Sequence, residues 1–155
     1  MKRAALVAVV AVVQIGLVAV GVAPQLSART TGETYRMSVD PVDPIDPFRG
    51  AYVDLQYPDL EPPEDFEHEW GDDIYVTLTE RDGEMVGSRW STTRPDSGSY
   101  VRCASGWPLR CGIESWFADQ REARRIEEAM ARDGAIAEVR VDSRGNAAIV
   151  GLEAR

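Results

Sequence analysis

The sequence predicts an α+β fold: a mostly antiparallel β domain with one helix in its C-terminal half, preceded by one N-terminal transmembrane helix. Three observations carry this. Ala4–Ala23 is a run of twenty residues whose one polar side chain is Gln14. Short segments of alternating apolar and polar residues recur after it, separated by turn residues. One stretch, 119–133, breaks that pattern with apolar residues at helical spacing.

At a rise of 1.5 Å per residue the apolar run spans about 30 Å, the thickness of a bilayer core. Secretory signals have apolar regions of roughly 7–15 residues and a small-x-small cleavage site. Here the run is longer, Ala19-Val20-Gly21 lies inside it, and Pro24 follows Ala23. The expectation is an uncleaved signal anchor over 1–23; cleavage near Gly21 or Ala28 is the competing reading. Lys2 and Arg3 precede the run and favour a cytoplasmic N-terminus. The chain then sits in the cell membrane as a single-pass protein, with its C-terminal domain extracytoplasmic. Arg29, just past the other end, opposes this weakly.

Removing residues 1–23 from the 155 leaves 132, enough for one core. The expected layout is the anchor, a polar connector over 24–34 and one domain over 35–155. Of 17 basic residues only Lys2 and Arg3 lie in the anchor, so 15 face 26 acidic residues in the rest of the chain, a formal charge of −11. Such a surface is expected to be repelled by DNA, RNA and anionic lipid surfaces. Lys2 is the only lysine, so the domain holds none to serve as base or nucleophile.

Strands are expected at Tyr35–Val39, Ala51–Tyr57, Ile74–Thr79, Met85–Trp90, Tyr100–Cys103, Arg110–Phe117, Ile136–Val141 and Ala147–Leu152. Val53, Leu55 and Tyr57 share one face of theirs. Arg81-Asp82-Gly83-Glu84 and Ser143-Arg144-Gly145-Asn146 read as hairpin turns. Asp119 and Glu122 form a capping pattern ahead of Ala123, Ile126 and Met130, and Gly134 is placed to end that helix. Asp40, Asp43 and Asp46 alternate with prolines on an extended path.

Cys103 and Cys111 flank the turn-rich Gly106-Trp107-Pro108. In an outer domain a disulfide between them can persist, and closing so short a loop contributes about 2.6 kcal/mol. Two separate buried thiols are the other reading.

The stretch Asp43-Pro44-Ile45-Asp46-Pro47-Phe48-Arg49-Gly50-Ala51-Tyr52-Val53-Asp54-Leu55-Gln56-Tyr57 resembles the hallmark of the GDYXXLXY family, membrane-anchored bacterial proteins of unknown activity. Gly50, Tyr52, Leu55 and Tyr57 match its pattern in register. Gly112, Ile113, Glu114, Trp116 and Phe117 resemble a later segment of the family. Two positions depart: Ala51 replaces the motif aspartate and Cys111 replaces a tyrosine. If that aspartate were a catalytic acid, this chain would be inactive; a local hydrogen-bonding role is easier to reconcile with alanine.

Among other candidates, Asp40, Asp43 and Asp46 would stand roughly 9 Å apart, too far to share a cation. The acidic residues of 58–73 lack EF-hand spacing and read as a solvated loop. His68 is the only histidine, so a zinc site lacks ligands. No nucleophile elbow, phosphate loop or dinucleotide fingerprint occurs. A cysteine–histidine pair would need Cys103 or Cys111 unpaired. Trp70, Trp90, Trp107 and Trp116 read as core or rim aromatics. No catalytic residue, metal or cofactor is assigned. The expectation is a non-enzymatic binding or assembly module of the bacterial envelope, with the membrane and another integral membrane protein as partners. The alternative is an extracytoplasmic hydrolase-like enzyme using carboxylates from Asp43, Asp54 or Glu114, which would need a cleft between them.

Overall fold

The computed structural model describes residues 2–41, 52–106, 108–118, 121, 125–126, 128, 130 and 134–154. One helix, α1 (Lys2–Thr31), leads into eight strands: β1 (Glu33–Pro41), β2 (Tyr52–Gln56), β3 (Asp73–Arg81), β4 (Glu84–Ser91), β5 (Tyr100–Ala104), β6 (Ser115–Phe117), β7 (Ala135–Val141) and β8 (Ala147–Ala154). They form two antiparallel sheets, of order β6-β2-β1-β7-β8 and β4-β3-β5.

α1 is long and apolar enough to cross a membrane, and residues 3–23 are exposed throughout. Every backbone group of such a run is satisfied within the helix, which is what hydrocarbon demands. Pro24 lies inside the helix, where the apolar run ends, and removes one N–H from the ladder.

The connector expected over 24–34 is ordered and divided between two elements. Residues up to Thr31 continue α1, and β1 begins at Glu33. The reason is docking. Ala28 is fully buried, and the Gly32 N–H closes a helical bond to Ala28 O at 2.9 Å. The Thr30 and Thr31 hydroxyls donate back to Leu26 O and Ser27 O at 2.7 and 2.9 Å. A Cβ on Gly32 would lie 2.5 Å from Ala28 O and 2.9 Å from the Val141 backbone, so the close approach of helix to sheet requires glycine.

The strands follow the alternation in sequence. In β3, Ile74, Val76 and Leu78 point inward; in β1, Met37 and Val39 do. They meet Val101, Cys103, Val139, Val141 and Ile149 in a single core. Val53, Leu55 and Tyr57 are buried on one side, as their spacing predicts. At Arg81↔Glu84 the β3–β4 hairpin closes through Asp82 (φ 54°) and Gly83 (φ 85°), two positive-φ residues whose twist suits tightly paired strands. The 142–146 turn joins β7 to β8 as expected.

The strand expected over Arg110–Phe117 is a correction. Only Ser115–Phe117 is strand; Arg110 makes an isolated bridge to Ala104, and Gly112 turns the chain at φ 80°. The helix expected over 119–133 falls largely outside the described residues, its cap at Asp119 and Glu122 and its Ala123 included. Arg121, Arg125, Ile126, Glu128 and Met130 have helical backbone, and Gly134 donates to Met130 O at 2.8 Å with φ 76°. Met130 is buried in the core and Ile126 packs against it.

Candidate functional site

Two segments far apart in sequence, singled out above, become neighbours. β2 pairs with β6 in the register Tyr52↔Phe117, Val53↔Trp116 and Asp54↔Ser115, and the Leu55 N–H donates to Glu114 O at 2.8 Å. Tyr52–Tyr57 and Gly112–Phe117 thus form one structural unit. β1 holds its other edge through Asp40↔Gln56 and Pro41↔Leu55. Asp43, Pro44, Arg49, Gly50 and Ala51 lie outside the described residues, as does Asp46.

Glu114 ties the turn to this unit. Its carboxylate accepts from the N–H groups of Cys111 and Gly112, the latter at 3.1 Å to each oxygen. Cys111 is joined to Cys103 of β5 by a disulfide, so the turn is bound covalently to the second sheet. The bridge also removes any cysteine nucleophile, since no free cysteine is present among the described residues.

A small cleft opens at this junction, lined in part by Tyr57, Glu61, Leu109 and Glu114. Tyr57 is 6% exposed, and its hydroxyl has no hydrogen-bond partner among the described residues. Burial first, and the Glu114 charge second, push its pKa far above the ordinary phenol range. Burial likewise raises Glu61, partly offset by a hydrogen bond from the Leu109 backbone. One Glu61 oxygen, Oε2, also has no partner among the described residues. The cavity measures about 20 Å³, which is room for about one water and for no substrate. This cleft, the one beside Glu114, therefore gives no support to a hydrolase; Asp54 is engaged by a partner, and Asp43 is outside the described residues.

The other candidates are placed as follows. His68 is exposed, stacked on Phe66 with ring centroids 5.5 Å apart. No group of three or more His, Cys, Asp or Glu residues is arranged to hold a metal among the described residues. Trp90 packs against the core and donates to Leu60 O at 2.9 Å, Trp116 packs against it too, and Trp70 is 87% exposed. Trp107 is not described.

A second site escaped sequence reading: the joint between α1 and the domain. Asp142, at the end of β7, has a side chain only 2% exposed. Its carboxylate accepts from Ser27 Oγ on α1, from the Arg144 and Asn146 N–H groups at 2.8 and 3.0 Å, and from Asn146 Nδ2 at 2.8 Å. Burial alone would raise its pKa, but these donors outweigh burial and hold it below the usual aspartate range. Arg140 on β7 donates to Gly32 O and Arg29 O, capping carbonyls at the helix end with a cation. Gln25 Nε2 donates to Gly112 O at 2.8 Å, linking the helix to the first site. Asp-x-Arg-x-Asn at a hairpin hinted at a self-capping turn, but nothing local pointed to Ser27, 115 residues away. Beside the joint lies a pocket of about 210 Å³ lined in part by Thr31, Glu33, Tyr35, Ser99 and Asp142.

Helix and domain together define a class: a protein with one helix able to cross a membrane, fastened to a two-sheet α+β domain. A family model described as GDYXXLXY protein matches residues 14–152, and the chain belongs to that family. The match starts within α1 and runs almost to the end of β8. Searches of curated proteins and of solved structures find no match.

Proposed function

We propose that the protein is a non-enzymatic binding or assembly module of the bacterial envelope, retained in the cell membrane by α1 with its domain on the extracytoplasmic side. The observation that carries this reading is the joint. A signal sequence destined for removal has no need of a folded domain built around its end, yet Ser27, Ala28 and Gly32 are integral to the packing of β7. Cleavage near Ala28 would remove the Ser27 donor to Asp142; cleavage near Gly21 would leave the joint intact, and against it stands the position of Gly21 inside the long apolar run. The disulfide supports the outer location, since such bonds persist in oxidising compartments. The exposed flank of residues 3–23 leaves surface for another integral membrane protein, the partner we favour.

The test is in-membrane cross-linking from positions along Leu6–Val20, followed by solubilisation and recovery of the intact chain. A reproducible adduct with one integral membrane protein supports the assembly reading. Adducts with lipid alone would reject it.

A further inference from the structure

The domain is strongly acidic, yet the side chains gathered at the exit of α1 are arginines. Arg29 stands exposed on the last turn of the helix. Arg144 reaches Ser27 Oγ with Nη2 at 2.8 Å while its side chain remains 63% exposed. Arg94 donates to Ser143 O at 3.0 Å, beside Arg144 in the chain. Among the described residues, Asp142 and Glu33 lie at this end, and Asp96 stands exposed two residues from Arg94. Asp142 lies 3.7 Å from Arg144 Nη2, but its oxygens are occupied by Ser27, Asn146 and two backbone N–H groups. Glu33 accepts from the Tyr35 hydroxyl at 2.7 Å.

Helix geometry fixes how far these groups stand from the bilayer. At 1.5 Å per residue, Ser27 lies about 6 Å and Arg29 about 9 Å beyond Ala23 along the axis. The headgroup layer on each side of the hydrocarbon is roughly 5–8 Å deep. A guanidinium held against Ser27 is therefore at phosphate level. Guanidinium offers a planar pair of N–H donors to a phosphate, which suits such a site better than a point charge does.

We infer that Arg144, held against Ser27 with Arg94 at its edge, and Arg29, on the other flank of the same helix turn, bind the phosphates of anionic phospholipid headgroups. This inference rests on the reading of α1 as a retained membrane span. It makes the joint a sensor of lipid composition, because the 142–146 hairpin that carries Arg144 is also the hairpin that grips Ser27.

The test uses the full chain in nanodiscs of phosphatidylcholine alone or mixed with phosphatidylglycerol, with hydrogen exchange read over residues 25–32 and 141–147. Exchange should slow about fivefold in the anionic discs, the size of effect one arginine near a charged surface produces. The double variant Arg29→Gln/Arg144→Gln should abolish the difference while keeping the disulfide. Equal exchange in both lipids overturns the inference, as does a difference that survives the substitutions. Equal slowing by inorganic phosphate added to neutral discs also overturns it, because the ligand would then be free anion. Flotation separates the two levels: a chain that fails to float with neutral vesicles refutes the anchor itself, whereas one that floats with them but exchanges equally in both lipids refutes only the headgroup site.

Discussion

Tyr57 places its hydroxyl in the interior with no hydrogen-bond partner among the described residues. The ring supplies packing and the oxygen supplies none of the measured contacts. Tyr57→Phe should therefore leave stability unchanged or raise it by up to about 1 kcal/mol, because removing a buried unpaired group is at worst neutral. Tyr57→Ala should cost about 3–5 kcal/mol, as aromatic deletions do. Chemical denaturation in detergent checks both, and a Tyr57→Phe loss near that of alanine would assign the hydroxyl a hidden partner. Two carboxylates carry opposite pH dependence. Asp142 is held below the ordinary aspartate pKa, so its contribution is present above about pH 4 and fades as pH falls through the lower folded value. Glu61 is raised, so its contribution is present below about pH 4 and fades as pH rises through the higher folded value. Asp142→Asn should therefore look progressively less damaging below pH 4. Glu61→Gln should gain on the parent protein as pH rises from 4 to 7. Melting temperatures across that range read both slopes, and parallel curves for either variant would contradict its assignment.

At the scale of elements, α1 and β1 are separated by one residue, Gly32, with backbone atoms 2.5 and 2.9 Å from where a Cβ would stand. Gly32→Ala should destabilise by more than about 1 kcal/mol, the centre of the range for single substitutions, because the atoms it would meet are backbone and not flexible side chains. It should also raise protease sensitivity at 24–34 before it affects β3–β4. Arg140→Met, which removes charged donors from two helix-end carbonyls, should cost about 1.5–3 kcal/mol with the same local signature. Uniform loss across the domain in either variant would argue against a distinct joint. The joint also shows where sequence reading stopped. Period-2 alternation marked β1 and β3, which bury Met37 and Val39 and Ile74, Val76 and Leu78 on one face, whereas β7 and β8 bury the consecutive residues Ala135–Ala137 and Ala147–Ile149. Asp82-Gly83 marked its hairpin because few residues tolerate two positive φ angles. Residues 24–31 read as a connector because their polarity resembles loop composition; their helicity comes from Ala28 and Ser27 finding partners in β7 and the 142–146 hairpin. Arg110–Phe117 read as strand because Ile113, Trp116 and Phe117 are apolar, yet the disulfide at Cys111 and the Gly112 turn bend the chain ahead of Glu114 and leave only Ser115–Phe117 as strand. The family resemblance located both conserved-looking segments but could not reveal that they pair edge to edge.

Across the whole molecule, three ties hold the parts together: the shared core of the two sheets, the Cys103–Cys111 bridge and the α1 joint. The bridge joins the β5 sheet to the turn that Glu114 and Gln25 also hold. Reducing it should lower stability by about 2.6 kcal/mol on the loop-entropy estimate, and the Cys103→Ala/Cys111→Ala variant should match the reduced protein. The proposed arrangement is a retained α1 span with the domain outside. Intact spheroplasts treated with external protease, followed by alkaline extraction of the membranes and mass measurement of the untreated chain, test it most directly. Retention places the full-length chain, residues 1–23 included, in the extracted membranes, with its domain digested before lysis. A soluble chain lacking its N-terminal residues, or a domain protected until the cells are opened, would contradict it.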